Sequence, residues 1–333
     1  MNWQSGYTVS YYITTVDPIT WRDISRIEIT DGSISRVTDG LRESASVSCT
    51  NYGDMVEQWV RIWLEAKQEG DSTRIPLFTG LATSPADNYE GESKDNDLQL
   101  YSVLKTADDV ALLHGWYAPE GMNGAAVIKD LLSVLPAPIV IADDAPSLTN
   151  HIIAENNETR LTMTEKILEA INWRMTISGD GTVHIEPKPT DPAITFDPFD
   201  NDVIETKLKI QADLFSCPNV CLAISNDLTA IARDDSPNSP LSTVNRGREV
   251  WKVESSCDLA DNETIEQYAR RRLKELQKVQ KSVSYDRRFV PDIYPGDIIR
   301  LHYSSIGLDD VFTINSQSID LAHAARTSEE VLK

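Results

Sequence analysis

Residues 59–68 read WVRIWLEAKQ, with Val60, Ile62 and Leu64 on one face of a period of two and Arg61, Trp63 and Glu65 on the other. Such alternation fits a half-buried strand and not a helix. EGDST then predicts a turn and RIPLFTGLATS a returning partner strand. A lone hairpin is too small to be stable in water, so its neighbours must extend the sheet. They are suited to it. YTVSYYITTV alternates in part, and DPITW turns the chain. DISRIEITDGSISRV places Ile24, Ile27 and Ile29 before an Asp31–Gly32 pair that predicts another hairpin turn, and ASVSCT adds a short strand. The first hundred residues are therefore expected to form a hairpin-rich barrel or sandwich.

The pattern changes near residue 101. YSVLKTADDVALLHGWY has helical spacing at Val103, Leu104, Ala107, Val110 and Ala111, with Gly115 placed to end the helix. PEGMNGAAVIKDLLSVL predicts a second helix stopped by Pro136. LTMTEKILEAINW predicts a third, capped by Thr162 or Thr164. WRMTIS, GDG and TVHIEPK then form a hairpin with its turn at Asp180–Gly181. Beyond a Pro/Asp-rich link, strands return as VIETKLKIQ, NVCLAIS and EVWKVESS, around a polar stretch at 233–248 that reads as a long exposed loop. A strong amphipathic helix is expected over 262–281, with Asp261 or Asn262 as cap and Ile265, Tyr268, Ala269, Leu273, Leu276 and Val279 as its apolar stripe. KSVSYD, DIIRLHY and DVFTINSQSIDL complete the strands. Before DIIRLHY, Pro295–Gly296 fits the centre of a type II turn.

Three domains follow: 1–100 all β, 101–195 a small α+β domain, and 196–333 β with one packed helix and a loop-rich insertion around 233–250. The fold class is α+β, mainly β.

Charge narrows the partners. The 333 residues carry a net charge of −21, which disfavours tight binding to nucleic acid or to anionic membranes. The start lacks the basic and apolar regions of a secretory leader, and no stretch approaches the roughly 18 apolar residues of a membrane span, so no membrane anchor is expected. Cys49, Cys217, Cys221 and Cys257 offer one C-x3-C pair with no second pair or nearby histidine, so buried thiols are expected in place of a metal site. His114, His151, His184, His302 and His323 have no ligand spacing. Phosphate-binding and hydrolase-elbow motifs are absent. The acidic pairs Asp108–Asp109, Asp143–Asp144, Asp234–Asp235 and Asp309–Asp310 lack the defined separation across a cleft that glycosidase chemistry needs. No enzyme, cofactor or metal is expected.

One surface departs from the acidic background. Residues 270–288 hold eight Lys/Arg and two acids, and Arg270, Arg271, Lys274 and Lys278 lie on the polar face of the long helix. The face reads as solvated, as a nucleic-acid contact or as a subunit contact; the last suits a −21 chain that must meet acidic copies of itself.

Five segments taken in order resemble the phage tail baseplate hub, or tail-associated, family. They are YSVLKTADDVALLHGWYAPEGMNGAAVIKDLL, ILEAINWRMTISGDGTVHIEPK, ADLFSCPNVCLAISND, SPNSPLSTVNRGREV, and YARRRLKELQ followed by PDIYPGDIIRL. The resemblance covers about 80–330. It implies two tail-tube-like β-barrel domains with inserted smaller α+β domains. It also implies a homotrimer that joins a six-fold tail tube, or a distal tail protein, to a three-fold central spike or fibre. DNA would pass through without specific binding, and the protein would be a structural part of the virion tail, made in the host cytoplasm. Some relatives carry a C-terminal peptidase or lysozyme domain, and none is expected within these 333 residues. The alternatives are a carbohydrate-binding or carbohydrate-degrading tail-tip module, and a secreted bacterial β-protein of unrelated role.

Overall fold

A computed structural model describes residues 1–3, 5–50, 52, 56–83, 85–90, 93–199, 203–212, 214–225, 228–255, 263–277, 281–322 and 325–333. The chain divides into two compact units, one of residues 1–208 with 284–331, the other of residues 209–283 with 332–333. The fold is mainly β with a small α-helical share, as the sequence predicts.

The first hundred residues supply β1 (Thr8–Val16), β2 (Asp23–Val37), β3 (Glu43–Thr50), β4 (Gln58–Gln68), β5 (Asp71–Ala82), β6 (Ala86–Glu90) and β7 (Ser93–Ser102). Their pairing runs β1–β4–β5–β7–β3–β2 and returns from β2 to β1, so these six strands form a closed ring. The β4–β5 hairpin is the predicted one, turned at Glu69 and Gly70. Val60, Ile62 and Leu64 are fully buried inside, beside Ile13, Ile34, Phe78 and Leu98. Asp31–Gly32 is not a turn. β2 runs straight through it, with a register shift against β3 between Ile29 and Asp31. Local propensity favoured a hairpin there, but pairing on both edges of β2 overrides it.

The next segment contains α1 (Lys105–Asp108), β8 (Tyr117–Ala118), α2 (Gly124–Leu131), β9 (Ile139–Ile141), β10 (Ile152–Ile153), α3 (Arg160–Ala170), β11 (Trp173–Ile177) and β12 (Val183–Pro187). The helix expected after residue 101 is a single turn. Ala111 leaves it to bridge Thr159, and Leu112 N–H donates to the Glu158 carbonyl at 2.8 Å. α3 is capped by Thr159, not by Thr162 or Thr164. Thr159 and Thr162 form a reciprocal capping box, and Thr164 is buried with its hydroxyl on the Arg160 carbonyl. A shared core of Val103, Leu104, Ile128, Leu131, Met163, Ile167, Val183 and Ile185 closes this part. The β11–β12 hairpin turns at Gly181 (φ 86°) as predicted. Its tip lies against the ring: Thr79 donates to the Gly179 carbonyl (2.8 Å), and Trp21 and Arg61 donate to that of Asp180 (2.9 and 3.2 Å).

Two strands follow, β13 (Ile194–Phe196) and β14 (Ile204–Ala212). Residues 209–283 then hold β15 (Val220–Ser225), β16 (Leu228–Arg233), α4 (Thr243–Arg246), β17 (Trp251–Ser255) and α5 (Ile265–Leu276), and the chain finishes with β18 (Lys281–Arg288), β19 (Ile298–Tyr303), β20 (Leu308–Asp320) and β21 (Arg326–Leu332). α5 is shorter than the predicted 262–281. Thr264 caps it, and Lys281 already belongs to β18; Asp261, Asn262, Lys278 and Val279 lie outside the described residues.

β2 also carries the last strands. Its residues 23–28 pair with β1, and residues 33–37 with β20, from which the sheet continues through β21 and β18 to β14. Buried charges stitch this seam. Glu329 accepts from Arg287 (2.6 Å), Tyr285 (2.6 Å) and Gln317 (2.8 Å), and Arg36 donates to Gln317 (2.9 Å) and to the Leu77 carbonyl. Burial works against the Glu329 carboxylate, yet these three donors hold its pKa below the usual value. Glu43 is the opposite case. Arg36 Nε stands 3.5 Å from it without a hydrogen bond, and burial pushes the Glu43 carboxyl up to about 8.

Pro295–Gly296 forms the predicted type II turn. Asp297 N–H donates to the Tyr294 carbonyl (3.1 Å), and Gly296 has φ 90°. The turn is tied to β20 through Gly296 to Ile314 (2.7 Å) and Ile314 to Asp297 (2.9 Å). The Asp297 carboxylate accepts from the Tyr294 N–H and from Arg174. The loop therefore sets the register of β19, where Ile299 is fully buried and Ile298 half-buried.

Candidate assembly surface

Within residues 209–283, β15 pairs antiparallel with β16 and parallel with β17. Period-two alternation turns Cys221 and Ala223 of β15, and Ala230 and Ala232 of β16, toward α5. These side chains are small, so the helix seats Ile265, Tyr268, Ala269 and Leu273 directly on the sheet. Thr264 and Gln267 form a capping box at its start. Cys49, Cys217 and Cys221 are buried, and Cys257 lies outside the described residues.

This packing leaves Arg270, Arg271 and Lys274 exposed on α5. Arg271 is held by Glu263 (2.8 and 2.9 Å) and Glu275 (3.2 Å), and those hydrogen bonds raise its pKa. Arg272 joins Glu254 and Glu275. Arg270 and Lys274 have no ion pair among the described residues. The cationic face is thus real but partly self-neutralised, and Lys278 lies outside the described residues.

A second feature escaped the sequence reading. The PNV and NRGREV segments, noted separately there, lock together. Asn219 is fully buried; its amide donates to the Leu241 and Arg248 carbonyls (3.1 and 3.0 Å) and accepts from the Val250 N–H (2.7 Å). Arg246 ends α4, Gly247 follows in the left-handed conformation (φ 61°), and the reversal lets Arg248 return to the same place. Arg246 donates to the carbonyls of Leu214 (2.9 Å), Phe215 (3.0 Å) and Cys217 (2.6 Å). Arg248 donates to that of Phe215 (2.6 Å) and lies 4.4 Å over its ring. Glycine flanked by two arginines was the available signal. The stretch at 233–248 is mostly exposed, as expected, but contains α4 and buries Leu241 and Ser242.

Several residues weighed for chemistry have structural roles. Asp234 accepts from Ser239, the Ser236 N–H and Gln277. Asp309 holds Arg300 at 2.7 and 2.8 Å and stands 3.4 Å from His302. Asp108 and Asp109 pair with Lys105. Among the described residues no three His, Cys, Asp or Glu gather as a metal site, and no helix is long and apolar enough to cross a membrane. A cavity of about 550 Å³ lies between α3, β11 and the Pro295–Gly296 turn. Its charges are largely paired internally, Arg42 with Glu165 and Arg174 with Glu186 and Asp297.

No family model matches the sequence, and no curated protein does. Solved structures do match. The chain is similar to the tail protein from Neisseria meningitidis MC58, with a TM-score of 0.65 and 17% identity over 99% of this chain and 97% of that one. It is similar to the 43 kDa tail protein of prophage MuSo2 from Shewanella oneidensis, with a TM-score of 0.65 and 10% identity over 97% and 98%. A chain of the Francisella PdpA-VgrG complex matches with a TM-score of 0.58 and 9% identity, over 100% of this chain and 53% of that one. The chain therefore has the fold of phage tail proteins, as its five segments implied.

Proposed function

We propose that this chain is a structural tail hub of a tailed phage or phage-like particle. Three copies form a ring that joins the six-fold tail tube, or a distal tail protein, to a three-fold spike or fibre. The observation that carries this reading is the extent of the likeness: it runs through nearly the whole of this chain and of two phage tail proteins. In this reading the ring of β1 to β5 and β7 is the first tube-like barrel, spanning 1–100. Residues 101–195 are an inserted α+β domain. β14 and β18 to β21 belong to a second barrel within 196–333, into which residues 209–283 are inserted. The protein performs no catalysis, resides in the virion tail after synthesis in the host cytoplasm, and lets DNA pass without specific binding, which a net charge of −21 favours. Arg270, Arg271, Lys274 and Lys278 serve as subunit contacts.

Light scattering on the purified chain, alone or with its tail partners, tests the reading together with micrographs. A three-chain mass and a three-fold ring with a central hole are expected. A clean monomer at high concentration that turns over glycan overturns it.

A further inference from the structure

We infer that Leu214 and Phe215 form a pre-set apolar anchor by which one copy of this chain grips the acidic part of a second copy. This deepens the self-assembly reading above and rests on it.

The segment is built to present these side chains outward. Leu214 is 53% exposed and Phe215 78% exposed. Exposed aromatic side chains on loops are ordinarily mobile, but here the backbone carbonyls of Leu214, Phe215 and Cys217 all accept from Arg246 or Arg248. The Arg248 guanidinium also covers one face of the Phe215 ring at 4.4 Å. The two arginines are held in turn, Arg246 as the last residue of α4 and Arg248 through its carbonyl on the buried Asn219. An anchor whose conformation is set before binding loses little entropy on docking, and a rigid aromatic beside arginine is the usual make-up of an interface hot spot.

Charge selects the occupant. Residues 209–283 carry 11 Lys/Arg and 11 Asp/Glu, whereas the rest of the chain carries 20 and 41, so the whole net charge of −21 lies outside 209–283. An apolar pair rimmed by two guanidinium groups complements an acidic surface, and the remaining residues of another copy offer one. A contact between unlike surfaces is head-to-tail, and head-to-tail contacts generate rings when the rotation closes.

The test replaces Phe215 with the photo-crosslinker p-benzoylphenylalanine in a mixture of ¹⁵N-labelled and unlabelled full-length chain. Irradiation is expected to give mixed-isotope peptide pairs joining position 215 to residues outside 209–283. Pairs confined to one chain, or joining only 209–283 to 209–283, overturn the inference. In parallel, Leu214→Ser with Phe215→Ser should weaken self-association about tenfold or more with an unchanged melting temperature. Arg248→Ala, which loosens the ring but keeps it, should weaken it less. A wild-type chain that assembles while the double variant assembles equally well removes the anchor and leaves the hub reading standing. A wild-type chain that stays monomeric both alone and with its tail partners removes both.

Discussion

Among the described residues, the buried charged side chains in 1–208 and 284–331 are Arg36, Glu43, Arg61, Arg287, Asp297 and Glu329, and the buried polar side chains in 209–283 are Asn219 and Ser242, both neutral. The larger unit joins distant strands through buried charged groups: Arg287 on β18 forms an ion pair with Glu329 on β21, and Arg36 on β2 donates a hydrogen bond to Gln317 on β20. The smaller unit organises its loops around one amide and leaves its charges at the surface. Buried ions need every partner in place, because a lone survivor faces the full desolvation penalty. A buried amide risks only hydrogen bonds.

That contrast can be broken by mutation. Glu329→Leu strands Arg287 and is expected to cost about 3–5 kcal/mol in urea unfolding; a loss below about 1 kcal/mol would mean the seam does not depend on its ion pair. Asn219→Ala orphans the Val250 N–H and two carbonyls, for about 1–3 kcal/mol, and hydrogen exchange should accelerate within 209–283 and not elsewhere. Glu43→Gln sharpens the comparison through pH. The Glu43 pKa is raised to about 8 in the folded chain, so its protonated form is favoured there, and the native state should lose stability as pH rises from the unfolded carboxyl range toward 8. The glutamine variant should lie close to the wild type near pH 5 and exceed it at pH 8 by up to about 4 kcal/mol; parallel stability curves across that range would show that Glu43 is charged in both states. The smallest effect on folding is expected for Arg271→Glu with Lys274→Glu, both at the surface. Stability should fall by about 1 kcal/mol or less, since the pairs of Arg271 with Glu263 and Glu275 are at the surface, while self-association weakens, most at low salt. Unaltered assembly would remove the cationic face from the interface.

Local chemistry was legible and distant pairing was not. Pro295–Gly296, the β4–β5 hairpin and the Gly181 turn could be read because a turn is specified by the few residues that make it. Asp31–Gly32 has the same local chemistry and is a bulge, since its conformation is decided by β3, which lies beyond the next turn, and by β20, near the other end of the chain. The capping of α3 was misplaced by a few residues because threonines stand at 159, 162 and 164 and the sequence does not rank them. The basic residues of α5 were found from composition, yet their pairing with Glu254 and Glu263 depends on folded geometry. The Leu214–Phe215 anchor was missed because DLF and NRGR stand some thirty residues apart and only the reversal at Gly247 brings them together.

The double use of β2 has a consequence for biosynthesis. Ser33 to Val37 leave the ribosome early, whereas their partners Ser316 to Asp320 come near the end of the chain. At about 5–20 residues per second, that edge waits roughly 15 to 60 s for its own strand. Through that interval the closed ring carries an open flank able to template pairing with other nascent chains. Crowded polysomes, and any slowing of translation before β20, should therefore raise the aggregated fraction without altering the stability of the finished fold.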